Sequence, residues 1–219
     1  MTEEMQYKEI EKLNPFFSIW LSTRRTIRYV LENKDLKYSL MVAALAGAPS
    51  GISAFGELSK NLELQWWFLL ILIVLVGPIF GLIGLYVAAA LYTWVGKWFG
   101  GTGKFKEMLQ AIGVAMIANF WMTPFWILST IFVRNDIFVM DMISGMSIGA
   151  IIWFLVSSLV SATFSIWMIV IQSKAIGEVH QFSSWKGFAT LIIPSLVIGM
   201  IVFIITLIVI FSLIGVSAY

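Results

Sequence analysis

Long apolar stretches constrain this chain more than any other feature of its sequence. Four of them, residues 66–95, 107–133, 148–172 and 188–215, have central parts without Asp, Glu, Lys or Arg. A helix needs about 20 apolar residues to cross the roughly 30 Å hydrocarbon core of a bilayer. Each stretch meets that length, so the sequence predicts an integral membrane protein.

The overall composition leads to the same prediction. Of the 219 residues, 60% are hydrophobic and 12% are charged. Soluble domains contain about 45–50% apolar and about 25% charged residues. A soluble domain of this length has too little interior for so much apolar surface, which excludes a cytosolic enzyme and a free nucleic-acid binder. Because the chain has no Cys and a single His, we expect no metal site and no cofactor.

A fifth stretch, residues 38–58, is weaker because Gly47, Pro49, Ser50 and Gly51 lie in its middle. The basic residues support it as a span. With five spans, twelve of the 14 Lys and Arg fall on one side: seven before the first span, three in the second loop and two in the fourth. The positive-inside rule then puts the N-terminus in the cytoplasm and the C-terminus outside. The predicted fold class is all-α, a polytopic membrane bundle of five transmembrane helices.

The segment before these spans has a different pattern. A short polar tail, residues 1–13, precedes a predicted cytoplasmic amphipathic or interfacial helix in residues 14–37, and the membrane domain occupies 38–219. The pair Asn14-Pro15 is typical of a helix start. At helical spacing, four apolar residues form a stripe along one side of this helix: Phe16, Trp20, Ile27 and Leu31. Three arginines lie along its border and on the opposite face: Arg24, Arg25 and Arg28. The pattern fits a helix in the headgroup plane and a helix packed on the span ends equally well, and both arrangements can hold together.

A glycine-rich segment follows the second span and invites comparison with a phosphate-binding loop. That pattern requires Gly at position 98 and Ser or Thr at 105, but these positions are Trp98 and Phe105. We therefore interpret the segment as a cytoplasmic turn that leads into a helix.

Polar residues also concentrate between the fourth and fifth spans, in residues 173–187. On the residues alone, a solvated connection with an interfacial anchor is favoured over a docking surface. An ionisable group deep in a span would mark an ion path or an acid–base site. The deep parts of the predicted spans hold none, so we expect no catalytic residues and no enzymatic activity.

Three segments of the chain resemble the Yip1 domain family, and they occur in the same order. They read NPFFSIW followed by RRTIR in residues 14–28, GGTGKFKEML in residues 100–109 with Pro124 in the next span, and IGEVHQFSSWKG in residues 176–187. The resemblance implies a small five-helix membrane protein with a cytoplasmic N-terminus and no established catalytic residues. All three segments lie on the predicted cytoplasmic side.

The resemblance also implies a class of function. Eukaryotic relatives act in vesicle trafficking and contact small GTPases, and some bacterial relatives are associated with export machinery. The short acidic N-terminus resembles bacterial members, so we expect the bacterial cytoplasmic membrane. The expected function is a non-catalytic adaptor that binds a membrane-protein partner, or a second copy of itself, through its cytoplasmic face. The alternative is a permease or lipid-handling protein that moves an apolar solute through the bundle.

The candidate interaction surface takes its residues from the three segments. They are Asn14, Pro15, Trp20, Arg24, Arg25, Arg28, Gly100, Gly101, Gly103, Lys104, Phe105, Glu178, His180, Trp185 and Lys186.

Overall fold

The computed structural model describes residues 13–47, 66–132 and 148–216, and these residues form eight helices. In chain order they are α1 (Pro15–Ser18), α2 (Thr23–Asn33), α3 (Leu36–Gly47), α4 (Trp66–Trp98), α5 (Phe105–Ala115), α6 (Ile117–Phe132), α7 (Ile148–Val179) and α8 (Ser184–Val216). No strand occurs in these ranges, which agrees with the predicted all-α class.

Four stretches of the described chain are long and apolar enough to cross a membrane. They are Val74–Trp98, Phe105–Phe125, Ile151–Val179 and Ser184–Ser212, and they correspond to the four strong predicted spans. Helix α3 covers only the first part of the predicted span 38–58. The rest of that span, including Pro49, lies outside the described residues, so the count of five and the orientation of the termini stay predictions.

The predicted helix over residues 14–33 is interrupted. Asn14 Oδ1 accepts the Phe16 N–H at 3.1 Å and starts α1, but the chain turns after Ser18 and resumes as α2 at Thr23. The turn buries Ile19 completely and directs the two helices to different neighbours, because α1 contacts α6 while α2 contacts α5 and α7. The stripe residue Ile27 and the neighbouring Val30 are fully buried. Helix α2 therefore packs on other helices of the fold, and whether it also lies in the headgroup plane stays a prediction.

Helix α5 is the centre of the fold. Every residue from Met108 to Ala115 is buried, and α5 contacts α2, α3, α4 and α7. Small residues such as Ala111 and Gly113 allow this close approach, and Gly113 lies directly against the Ser39 carbonyl of α3. The predicted continuous span 107–133 is divided at Met116, where α5 ends and α6 begins.

The predicted loop 173–187 is mostly helical. Helix α7 continues to Val179 and α8 begins at Ser184, so only residues 180–183 connect them. The carboxylate of Glu178, in the last turn of α7, is paired within the fold. Away from this turn the two helices are apolar and exposed, and every residue of α8 from 195 to 212 is exposed. Such a surface fits contact with lipid.

We predict that the glycine contact between α3 and α4 is needed for stability. A Cβ on Gly81 would lie 2.8 Å from the Gly47 Cα, whereas a Cβ on Gly84, one helical turn away, would meet nothing within 4 Å. Gly81→Val should therefore destabilise the protein by about 1–3 kcal/mol and lower the melting temperature in detergent by roughly 2–12 °C. Gly84→Val is the matched control. Equal melting temperatures for the two variants would contradict the prediction.

Candidate functional site

The three segments singled out from the sequence meet at one place in the fold. Helix α2 and the α4–α5 connection each contact the α7–α8 turn through polar groups. We call this place the junction and define it by residues 14–33, 99–106 and 173–188. Its contacts join residues that are as many as 160 positions apart in the chain.

Glu178 is the central charged group of the junction. Its side chain is 3% exposed, and it pairs with Arg28 at 2.7 Å (Nη2 to Oε1) and with Arg24 at 3.4 Å (Nη1 to Oε2). The Arg28 Nε also donates to Oε1 at 2.8 Å. A buried carboxylate is stable only when it is paired and hydrogen-bonded. The two arginines therefore fix α2 against the end of α7.

Arg24 links the same helix to the turn that follows α7. Its Nη2 donates to the Phe182 carbonyl at 2.7 Å and to the Ser184 hydroxyl at 3.3 Å. Gly177 leaves the space for this guanidinium, since a Cβ there would approach Nη2 to 2.6 Å. One arginine thus positions both sides of the connection between α7 and α8.

His180 joins the α7–α8 turn to the α4–α5 connection. The Gly103 N–H donates to Nδ1 at 3.1 Å, and Nε2 lies 3.1 Å from the Tyr92 carbonyl. An N–H group can only donate, so Nδ1 is the acceptor and the proton is on Nε2, which donates to Tyr92. The imidazole is 1% exposed and stacks on Phe182, with ring centroids 5.2 Å apart.

The glycine-rich segment forms the wall of this histidine site. A Cβ on Gly96 or Gly101 would overlap the imidazole, and one on Gly103 would lie 2.6 Å from Val179 Cγ1. Gly100 has φ +79°, the left-handed conformation that glycine adopts without strain. Gly96, Gly101 and Gly103 therefore serve close packing around His180, whereas a Cβ on Gly100 would meet nothing within 4 Å and this glycine serves the turn.

The electrostatics of the site keep His180 neutral. Its pKa is lowered from the ordinary value of 6.5, mainly because burial disfavours the charged imidazolium, and Lys97 lowers the pKa further. The hydrogen bond to the Tyr92 carbonyl and the charge of Glu107 act in the opposite direction. Both ring nitrogens are engaged by backbone groups, so His180 offers no free base to a substrate.

Comparison with known families identifies the chain. The sequence model of the Yip1 domain matches residues 17–216, nearly the whole chain. The chain belongs to the Yip1 domain family. Neither a curated protein nor a solved structure matches it. The resemblance noted in the three segments is confirmed, and with its long apolar helices the chain is a multi-pass membrane protein of the Yip1 family.

Within this Yip1 domain, the predicted surface residues divide into two groups. Pro15, Gly103, Glu178 and His180 are buried, and the last three hold the junction together. The remaining eleven are partly or fully exposed; they are Asn14, Trp20, Arg24, Arg25, Arg28, Gly100, Gly101, Lys104, Phe105, Trp185 and Lys186. The proposal that they bind a partner stays a prediction.

Two contacts at or beside the junction were not predicted. The Gln110 amide donates to the carbonyls of Val30 at 3.0 Å and Lys34 at 2.6 Å, at the end of α2. The Lys186 ammonium donates to the Phe99 carbonyl at 3.2 Å. The position of Gln110 as a lone amide among the apolar residues of α5 indicates that it needs a hydrogen-bond partner. The partners of Gln110 and Lys186 are backbone carbonyls, which cannot be predicted from the sequence.

The chemistry of the junction is structural in the described part of the chain. No three His, Asp or Glu side chains there lie close enough together to hold a metal ion. Glu178 and His180 direct their polar atoms at arginines and backbone groups. The arrangement can fix three segments in one geometry.

We predict that Glu178→Gln rescues the loss of the two arginines. Arg24→Gln with Arg28→Gln leaves a buried carboxylate without its partners, which should cost on the order of 2–3 kcal/mol. This cost is lower than the roughly 3–5 kcal/mol for breaking a fully buried ion pair, because both arginines are partly exposed. Adding Glu178→Gln removes the uncompensated charge, so the triple variant should have the higher melting temperature. A triple variant less stable than the double variant would rule out the pairing.

We also predict a titration of His180 below its ordinary range. It is the single His of the chain, so histidine-selective ¹⁵N labelling reports on it alone, with a midpoint expected below 6.5 and the Nε2–H tautomer above it. The unfolded chain takes up the proton first as the pH falls. The stability contribution is thus complete above pH 6.5 and is lost as the pH falls through the folded pKa, at up to about 1.4 kcal/mol per pH unit.

The control for this titration is His180→Gln, whose melting temperature should lack the pH dependence just below pH 6.5. A measured midpoint at or above 6.5 would show that the imidazole is not held neutral by burial.

Proposed function

We propose that this Yip1 protein is a non-catalytic membrane adaptor that binds a membrane-protein partner through the exposed side of the junction. One observation carries the proposal. Buried polar groups that are hydrogen-bonded within the protein hold three distant segments together. Exposed apolar and basic side chains surround these segments. A fixed surface of this kind suits binding, since little ordering is required when a partner docks.

The apolar part of this surface lies at the turn between α1 and α2. Leu21 is 84% exposed and Phe17 is 62% exposed, next to the exposed Arg25 and Arg28. Exposed apolar side chains beside charged ones are typical of interaction sites. We place this surface in the cytoplasm, as the distribution of Lys and Arg favours. As the membrane we propose the bacterial cytoplasmic membrane, which the resemblance to bacterial members favours.

The packing of α5 favours an adaptor over a permease. A bundle that moves a solute needs a path between its helices, but the centre of the described bundle is filled by the buried side chains of Met108–Ala115. Their neighbours include Leu85 of α4 and Ile171 of α7, both almost completely buried.

We predict that photo-crosslinking from the α1–α2 turn captures a membrane protein in the native membrane. A photoreactive phenylalanine derivative at Phe17 or Leu21 should form protein adducts whose partner is identified by mass spectrometry. Phe203 of α8 has the same exposure as Phe17, 62%, but lies within a membrane-spanning stretch. A probe there should label mainly lipid, which makes it the matched control.

Two further measurements complete the test. Arg24→Gln with Arg28→Gln should reduce the adduct from position 21 severalfold, because α2 loses its attachment to α7. No protein adduct from positions 17 and 21, together with solute flux in vesicles that contain the purified protein alone, would favour the permease instead.

A further inference from the structure

A second exposed surface of the junction is basic and aromatic. It lies where α4 ends, α5 begins and α8 begins, away from the α1–α2 turn in the chain. We call it the lysine–tryptophan patch and define it by Lys97, Trp98, Lys104, Lys106, Trp185 and Lys186. All six side chains are exposed.

Three connections bring these residues together. Lys97 and Trp98 occupy the last turn of α4, and six residues later Lys104 begins the approach to α5. Lys186 donates from Nζ to the Phe99 carbonyl at 3.2 Å, which holds the start of α8 beside the same connection. The Thr102 N–H donates to the His180 carbonyl at 3.4 Å, which joins the connection to the turn just before Trp185.

The charge of the patch is strongly positive. The acidic residues in the described part of the chain are Glu32, Asp35, Glu107 and Glu178. Glu178 is buried and paired with arginines, so among these four only Glu107 lies beside the patch, and it accepts the Lys104 backbone N–H at 3.1 Å. The four lysines of the patch thus have one neighbouring carboxylate, whereas Lys34 and Lys37, at the end of α2 and the start of α3, have Glu32 and Asp35 as near neighbours in the chain.

The tryptophans give the patch an apolar side. Trp98 is 59% exposed and packs edge-on against Trp94 at 4.7 Å between centroids, and Trp185 is 81% exposed. Both lie at the ends of membrane-spanning stretches. Tryptophan prefers the membrane–water interface, where its ring contacts acyl chains and its N–H stays near the headgroups.

We propose that the lysine–tryptophan patch binds an anionic phospholipid. The lysine ammonium groups contact the headgroup phosphate, and the tryptophan rings contact the adjoining acyl region. Charge complementarity selects this occupant, because four lysines with a single carboxylate attract an anion, and tryptophans at span ends place that anion at the bilayer surface. This inference goes beyond the proposed protein partner, because the crosslinking positions that test that partner, Phe17 and Leu21, are not among the residues of the patch.

Native mass spectrometry of the full chain in non-ionic detergent tests the proposal. Titration with phosphatidylglycerol should give tighter binding than titration with phosphatidylcholine. Lys104→Gln with Lys106→Gln should weaken phosphatidylglycerol binding by roughly tenfold or more, because each lysine near an anionic surface contributes about fivefold. Both side chains are exposed, so the fold should survive, and unchanged melting temperatures confirm this.

Two control variants separate a defined patch from general attraction. Lys34→Gln with Lys37→Gln removes the same charge elsewhere and should leave binding within about twofold, and Lys104→Arg with Lys106→Arg should retain it. Equal affinity for the two lipids, or an equal loss in the Lys34 and Lys37 control, would overturn the proposal. Excess inorganic phosphate at constant ionic strength should not displace the lipid, and displacement would assign the site to free phosphate.

Discussion

The fold depends on a carboxylate that has been taken out of water. Glu178 is almost fully buried, and a charge in that position is strongly destabilising unless partners surround it. Arg24 and Arg28 supply those partners from α2, about 150 residues earlier in the chain. The attraction fixes α2 on α7, and through the Phe182 carbonyl Arg24 also fixes the turn to α8. The cluster of Glu178, Arg24 and Arg28 therefore fixes three helices, α2, α7 and α8, relative to one another.

The neutral side chain of His180 connects a further helix, α4, to this arrangement. His180 receives a hydrogen bond from Gly103 and donates one to the Tyr92 carbonyl of α4, which is possible only when the imidazole is uncharged. The Glu178 and His180 contacts are opposite in kind, because one needs a charge and the other excludes it. Two residues apart on the chain, they divide the junction into an ionic side toward α2 and a neutral side toward α4.

The long helices could be predicted from the sequence because their apolar stretches exceed the thickness of a bilayer. Helices α4, α7 and α8 follow directly from that length. The interruptions could not be predicted. Residues 14–33 keep an apolar stripe through the turn at 19–22, and residues 107–133 stay apolar through the break at Met116. In both places the neighbouring helices decide where the chain bends, and a local pattern contains no information about them.

The candidate site shows the same division between local and tertiary information. Glu178 and His180 come after the end of an apolar stretch. From the sequence alone, polar residues in that position are expected to be exposed to solvent. They are buried because partners distant in the chain satisfy their polar atoms. Gln110 lies in a predicted span, and its role at the end of α2 follows only from the packing of α5.

This burial changes what the family resemblance can say about function. Glu178, His180 and Gly103 are among the residues that carry the resemblance, and in this chain they hold the junction in shape. A ligand cannot reach an imidazole that is 1% exposed. The exposed positions, such as Leu21 and Trp185, are the ones that a partner or a lipid would contact. The buried motif residues therefore hold the junction of this chain in shape, and under both proposals the ligand contacts the exposed side chains around it.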